Sequence, residues 1–98
     1  MPIYVTVLKS MAETAANVDD VGKWWEESKK MLENMGVRVI SAYAMLGRYD
    51  GIVIYEAPDE KVAMSLALVS STGKYAPSET WTAVSMEDLT QIAKRIKR

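Results

Sequence analysis

The chain is 98 residues long, about half of them hydrophobic, with twelve basic against thirteen acidic side chains, a net charge of −1, and no cysteine or histidine. That length carries one core and not two, so a single domain spanning 1–98 is expected. The missing residue types exclude disulfides, thiolate nucleophiles, cysteine or histidine metal sites and the usual neutral-pH general base, and the balanced charge offers no basic excess to release counterions from a nucleic-acid backbone.

No metal, no cofactor and no nucleic-acid partner is therefore expected. The first residues, Met1-Pro2-Ile3-Tyr4-Val5, lack the charged-then-apolar order of a targeting segment, and no stretch approaches the roughly 18 apolar residues of a membrane span. The expectation is a cytoplasmic protein with no membrane partner. A domain this small buries only about 60 to 65 % of the surface its unfolded chain exposes, which makes a second subunit a source of stability.

Ile3 to Lys9 alternate, Ile3, Val5 and Val7 against Tyr4, Thr6 and Leu8, and their β-branched and aromatic types suit a first strand. Ser10 to Asn17 are small and polar and read as an irregular connection or a short helix. From a cap at Asp19 or Asp20, the apolar residues Val21, Trp24, Trp25, Met31, Leu32 and Met35 follow the spacing of an amphipathic helix, which Gly36 ends. Trp24 and Trp25 project about 100° apart on such a helix, so one of them is expected to meet solvent or another subunit.

Val37 to Leu46 form the second strand, with Val37, Val39, Ser41, Tyr43 and Met45 on one face and Arg38, Ile40, Ala42, Ala44 and Leu46 on the other. The turn Gly47-Arg48-Tyr49-Asp50 leads to a third strand from Gly51 to Ala57, making a hairpin. Pro58-Asp59 then open a second helix over Glu60 to Thr72, ended by Gly73, whose small residues permit close packing on a sheet. After Lys74-Tyr75-Ala76-Pro77, Ser78 to Val84 alternate around Trp81 as the fourth strand. Ser85 caps a last helix with Met86, Leu89, Ile92, Ala93 and Ile96 as its inner stripe, and Lys94, Arg95, Lys97 and Arg98 offset the dipole at its end.

The order βαββαβα predicts an α+β domain of the ferredoxin-like βαββαβ type with a C-terminal helix, a four-stranded antiparallel sheet and helices on one face. Both faces of the first strand and of the hairpin are apolar or aromatic, so the second face needs a cover, and sheet-to-sheet packing with a second copy would supply one.

Gly47-Arg48-Tyr49-Asp50, the strand Ile52-Val53-Ile54-Tyr55 and Glu56-Ala57-Pro58-Asp59 resemble the GYD domain family, named for its Gly-x-Tyr-Asp motif. Tyr4-Val5-Thr6-Val7 is similar to the family's opening strand, and Gly73 with Ser78-Glu79-Thr80 to its approach to the last strand. The resemblance implies a dimeric α/β barrel and carries no activity with it.

Tyr49 and Asp50 place a phenol and a carboxylate beside a hairpin turn, which makes them candidates to bind or protonate a small ligand; turn chemistry at Gly47 and Asp50, with Tyr49 packed at a subunit interface, is the favoured account of them. Glu56 shares strand parity with Asp50, and the two lie about 20 Å apart at about 3.3 Å per residue, too far for one acid/base pair. Glu56 is read either as a base of raised pKa or as the partner of an arginine or a helix N-terminus. Tyr4, Thr6, Tyr43, Tyr55 and Trp81 occupy alternating strand positions and are expected on a common face, as a ligand wall or as a dimer seam. The seven methionines read as adaptable core filler.

Two function classes fit. One is a homo-oligomeric module, with a second copy and a small molecule as its partners, that binds a ligand or builds an assembly. The other is a cofactor-independent enzyme, isomerase or oxygenase-like, on a small polar or aromatic substrate, with Tyr49, Asp50 or Glu56 as acid or base.

Overall fold

A computed structural model of the chain describes residues 1–9, 18–71 and 78–96. In chain order these form β1 (Ile3–Leu8), a 3-10 turn (Val18–Asp20) running into α1 (Val21–Asn34), β2 (Arg38–Ala44), β3 (Gly51–Glu56), α2 (Glu60–Ser71), β4 (Ser78–Ala83) and α3 (Met86–Ile96). The strands pair antiparallel in the order β2-β3-β1-β4, the ferredoxin-like arrangement with a C-terminal helix that the element order predicts. The connection Ser10 to Asn17, the stretch Gly73 to Pro77 and the tail residues Lys97 and Arg98 lie outside the described residues.

Local chemistry sets the helix ends. At the end of α1, Gly36 takes φ +84, its N–H donates to the Glu33 carbonyl, and the Val37 N–H donates to the Leu32 carbonyl, each at 3.0 Å. This double closure satisfies two carbonyls that the helix end would leave without donors, and buried Leu32 and Val37 complete it. Asp59 caps α2 by accepting the Val62 N–H at 3.1 Å, and Ser85 caps α3 by accepting the Asp88 N–H at 3.0 Å. The expected cap at the start of α1 is not made by a side chain at Asp20: α1 grows out of the 3-10 turn, so Asp20 already has helical angles (φ −91, ψ 0) and not the extended ones a capping side chain needs.

Register assigns every strand residue to a face. Tyr4 pairs with Tyr55 and Thr82, and Tyr55 with Val39; Thr6 pairs with Val53 and Thr80, and Val53 with Ala42. This is the helix face. It carries the core, in which Tyr4, Leu8, Val53 and Tyr55 pack with Leu32 from α1 and with Ala63 and Leu66 from α2. Burying side chains of the size of Leu32 and Leu66 contributes about 1.5–3 kcal/mol each.

The other face carries Ile3, Val5 and Val7 on β1, Ile52, Ile54 and Glu56 on β3, Tyr43 on β2, and Glu79, Trp81 and Ala83 on β4. No described helix is buried against it, and Tyr43 and Trp81 are exposed there, whereas Val7 on the same face is buried. The sheet is thus apolar on both sides, as its sequence indicates.

Two expectations change. A bulge at Ile40 shifts the β2 register between Val39 and Ser41, so Val39 shares its face with Ala42 and Ala44 and not with Ser41 and Tyr43. The apolar stripe of α3 does not point inward: none of its residues is buried. The radius of gyration is 15.1 Å, against roughly 12.6 Å for a compact chain of this length.

The closure at Gly36 gives a direct test. A Cβ there would have room, with Pro58 Cγ at 3.6 Å, so only the backbone angle constrains the position. Gly36→Ala is expected to destabilise the fold by about 1–2 kcal/mol, seen as a lower urea midpoint at an unchanged m-value.

Candidate functional site

Between α1 and the helix face lie two adjoining cavities of about 60 and 270 Å³. Leu8, Trp24, Trp25 and Val53 border both. The larger one exists because the facing residues are small: Gly22 on α1, Ala42 and Ala44 on β2, and Gly51 on β3 leave unfilled the space that branched side chains would occupy. A Cβ built on Gly22 would meet nothing within 4 Å.

The two tryptophans frame this space. Both are half-buried and packed against the core, so the 100° between them sends neither ring wholly into solvent. They sit in the first turns of α1, and both border the two spaces beside these small residues.

The polar groups of the smaller cavity are few. Ser28 is buried and its hydroxyl has no hydrogen-bond partner, and the same holds for the indole N–H of Trp24. On the sheet side, Thr6 Oγ1 shares hydrogen bonds with the Tyr55 hydroxyl at 2.9 Å and Thr80 Oγ1 at 3.0 Å. Burial pushes the Tyr55 phenol above its ordinary pKa, against the opposing effect of these threonine contacts. Burial raises Tyr4 too, with help from the charges of Glu60 and Asp59. Both phenols are therefore neutral near pH 7, and the buried Tyr4 hydroxyl has no hydrogen-bond partner. Among the described residues the walls carry no charged side chain.

Register separates the residues that the sequence placed on one face. Tyr4, Thr6 and Tyr55 lie on the helix face, with Tyr4 and Tyr55 stacked at 5.8 Å between ring centroids. Tyr43 and Trp81 lie on the open face. Only Thr6 and Tyr55 reach the smaller cavity, whereas Tyr43 borders the larger one from the hairpin end. Sequence reasoning did not single out Ser28, Gly22, Ala42 or Ala44. The signal was present: Ser28 falls within the apolar stripe of α1, four residues after Trp24 and four before Leu32, where a hydroxyl has no packing role.

The Gly47 to Asp50 turn stitches three strands together. Gly47 takes φ +121, and the Asp50 N–H donates to the Leu8 carbonyl while its own carbonyl accepts the Met45 N–H, both at 2.9 Å. The Tyr49 hydroxyl donates to the Glu79 carboxylate, reaching across β1 to β4, and the Lys9 ammonium lies 5.2 Å from the Tyr49 ring centroid. At the opposite end of the open face, Glu56 pairs with Arg38 at 3.3 Å, the arginine partner that was one of its two readings. Both carboxylates thus face away from the cavities. Among the described residues no three acidic side chains gather as a metal site, and no helix is long and apolar enough to cross a membrane.

The Tyr49 bond holds the Glu79 carboxyl below its ordinary pKa, with Lys9 and Arg48 acting in the same direction, and holds the Tyr49 phenol above its own. Folding thus favours the charged carboxylate and the neutral phenol. The stabilisation is present above the ordinary glutamate value of 4.5 and lost as pH falls through the lowered one; it is present below the ordinary tyrosine value of 10 and lost as pH rises through the raised one. Tyr49→Phe is expected to lower the thermal midpoint at neutral pH, with the difference from the parent vanishing in strong acid; a pH-independent difference would contradict the pairing.

A search of curated proteins returns no match, and a search of solved structures likewise returns none. The model of the GYD domain matches residues 4–93, from β1 through the turn at Gly47 to the middle of α3. On that match, which runs over nearly the whole chain, the protein belongs to the GYD domain family.

Proposed function

We propose that the chain is a self-pairing module that binds a small, uncharged, mostly apolar molecule between α1 and the sheet. The observation that carries this reading is the pair of buried donors, the Ser28 hydroxyl and the Trp24 indole N–H, that have no partner on the wall of a cavity. A buried polar group without a partner costs about 1–3 kcal/mol, and native folds retain few of them without a reason. A ligand carrying a hydrogen-bond acceptor between apolar walls would satisfy both. The ring would lie in the larger space, about 270 Å³, which exceeds the roughly 150 Å³ that takes up a benzene ring, with its acceptor reaching past Trp24, which borders both spaces, to Ser28 in the smaller.

Binding is favoured over acid–base catalysis by where the carboxylates lie. Glu56 and Glu79 are on the far face of the sheet, and Tyr55, the ionisable group on the described wall, stays neutral. The pairing surface of the module is the open face, where Trp81 and Tyr43 offer aromatic area of the kind that subunit interfaces favour.

Calorimetric titration with coumarin, a neutral bicyclic ring with a carbonyl acceptor, tests the binding reading on the intact chain and two variants. Ser28→Ala removes an unsatisfied hydroxyl from a helix, so it is expected to raise stability by about 1 kcal/mol while weakening coumarin about tenfold. Ser28→Leu, which fills the smaller cavity, is expected to abolish binding in a chain that still folds. Affinity unchanged in both variants would sink the proposal.

A further inference from the structure

On the sheet side of the smaller cavity, Thr6 Oγ1 lies between the Tyr55 hydroxyl and Thr80 Oγ1, so three O–H groups share two hydrogen bonds. Each hydroxyl carries one proton, which leaves one of the three unused. If the protons run from Tyr55 to Thr6 to Thr80, the spare one sits on half-buried Thr80 of the edge strand β4, where solvent can receive it, and Tyr55 offers a lone pair to the cavity it lines. If the order reverses, Tyr55 offers its O–H. Both orders keep both bonds, so the chain presents an acceptor or a donor at the same place.

The opposite wall, on α1, lacks this freedom. The Trp24 indole N–H can only donate. Ser65 on α2 and Thr90 on α3 each donate back to the carbonyl four residues earlier, at 2.9 Å, the usual outlet for a hydroxyl within a helix. Ser28, 7 % exposed, makes no such bond to Trp24, and its hydroxyl is left for the cavity.

Size orders the two spaces. The smaller, about 60 Å³, falls short of the roughly 150 Å³ that takes up a benzene ring, so it holds a head group and no ring. Buried Ser28, Leu32, Val53, Tyr55 and Leu66 line it, whereas the larger space opens to solvent along exposed Gly22, Ala42 and Ala44. A ligand thus enters with its polar head leading and its ring behind.

We propose that this ligand is a ring-fused α-hydroxy ketone, whose carbonyl accepts from Trp24 and Ser28 and whose neighbouring hydroxyl bonds to the Thr6–Tyr55–Thr80 chain. The inference deepens the binding reading above and rests on it. Two oxygens are needed because polar groups line both walls, and they are adjacent because both must share the smaller space. The chain receives the ligand's hydroxyl whichever way that proton points. A carboxylate in the same place would be a buried charge without a partner, since the described walls carry no charged side chain.

Calorimetric titration with 1-indanone and 2-hydroxy-1-indanone, which differ by one hydroxyl beside the carbonyl, reads the sheet wall apart from the α1 wall. On the intact chain the hydroxy ketone is expected to bind about tenfold more tightly. Equal or weaker binding overturns the inference without any variant. Tyr55→Phe and Thr6→Val remove members of the chain while keeping the ring and the branched shape, and the advantage is expected to fall to within about twofold in each. An advantage undiminished in both overturns the assignment to the chain. Ser28→Ala is expected to weaken both ketones alike and keep their ratio; a ratio lost there puts the hydroxyl on the α1 wall and also overturns the assignment. If neither ketone nor coumarin binds, the reading beneath the inference falls with it. Binding of coumarin and 1-indanone that weakens in Ser28→Ala, with no advantage for the hydroxy ketone, overturns the inference alone.

Discussion

The pairing of β1 with β3 at the centre of the sheet decides the orientation of almost every side chain that matters in this molecule. Tyr4 stands opposite Tyr55 and Val5 opposite Ile54, so the stacked tyrosines go under the helices and the aliphatic pair faces the other way. A slip of one residue would exchange the two sets and put phenols on the open face. Burial makes that slip costly, because both tyrosines are about 1 % exposed and sit at the middle of the packed core. With this central register set, β2 and β4 have no choice of face, and the cavities and the open surface end up on opposite sides of the same four strands.

Much of the fold was legible because its signals are local. Gly36, Asp59 and Ser85 act within a few residues of their own positions, and their roles as a left-handed stop and two caps follow from backbone chemistry alone. Alternation likewise identified the strands. What could not be read was the relation between strands. The five residues Tyr4, Thr6, Tyr43, Tyr55 and Trp81 look equivalent on paper, yet each strand's parity is meaningful only relative to its neighbours. The bulge at Ile40 then reverses parity partway along β2. The inward stripe expected of α3 failed for a related reason: amphipathicity marks an apolar face without saying what that face meets.

The cavity illustrates how absence of bulk becomes a feature. Gly22, Ala42, Ala44 and Gly51 are unremarkable one at a time, and only the superposition of α1 on β2 and β3 shows that they face a common space. Gly51 is buried while Gly22, Ala42 and Ala44 are exposed, so the space they leave opens to solvent along one side. Ser28 and Trp24 make the same point for polarity: an alanine or leucine at Ser28 would suit an apolar helix stripe better than a hydroxyl with no partner. Unfilled space beside unpaired donors is a constraint other than packing, and the ligand recognition proposed above would satisfy both.

The recognition and the pairing proposed above would fall on opposite faces of the sheet, which removes a conflict that a single shared surface would create. β3 shows this directly, since Val53 and Tyr55 face the cavity side while Ile52, Ile54 and Glu56 face the open side. A second copy seated on the open face leaves α1 and its tryptophans untouched. The Gly-x-Tyr-Asp turn lies where the two meet: through the Asp50 backbone it fastens the end of β1 to the hairpin next to Gly51 on the cavity wall, and through Tyr49 it crosses the open face to Glu79. Its residues are thus placed to hold the wall of one surface and the rim of the other at a fixed distance.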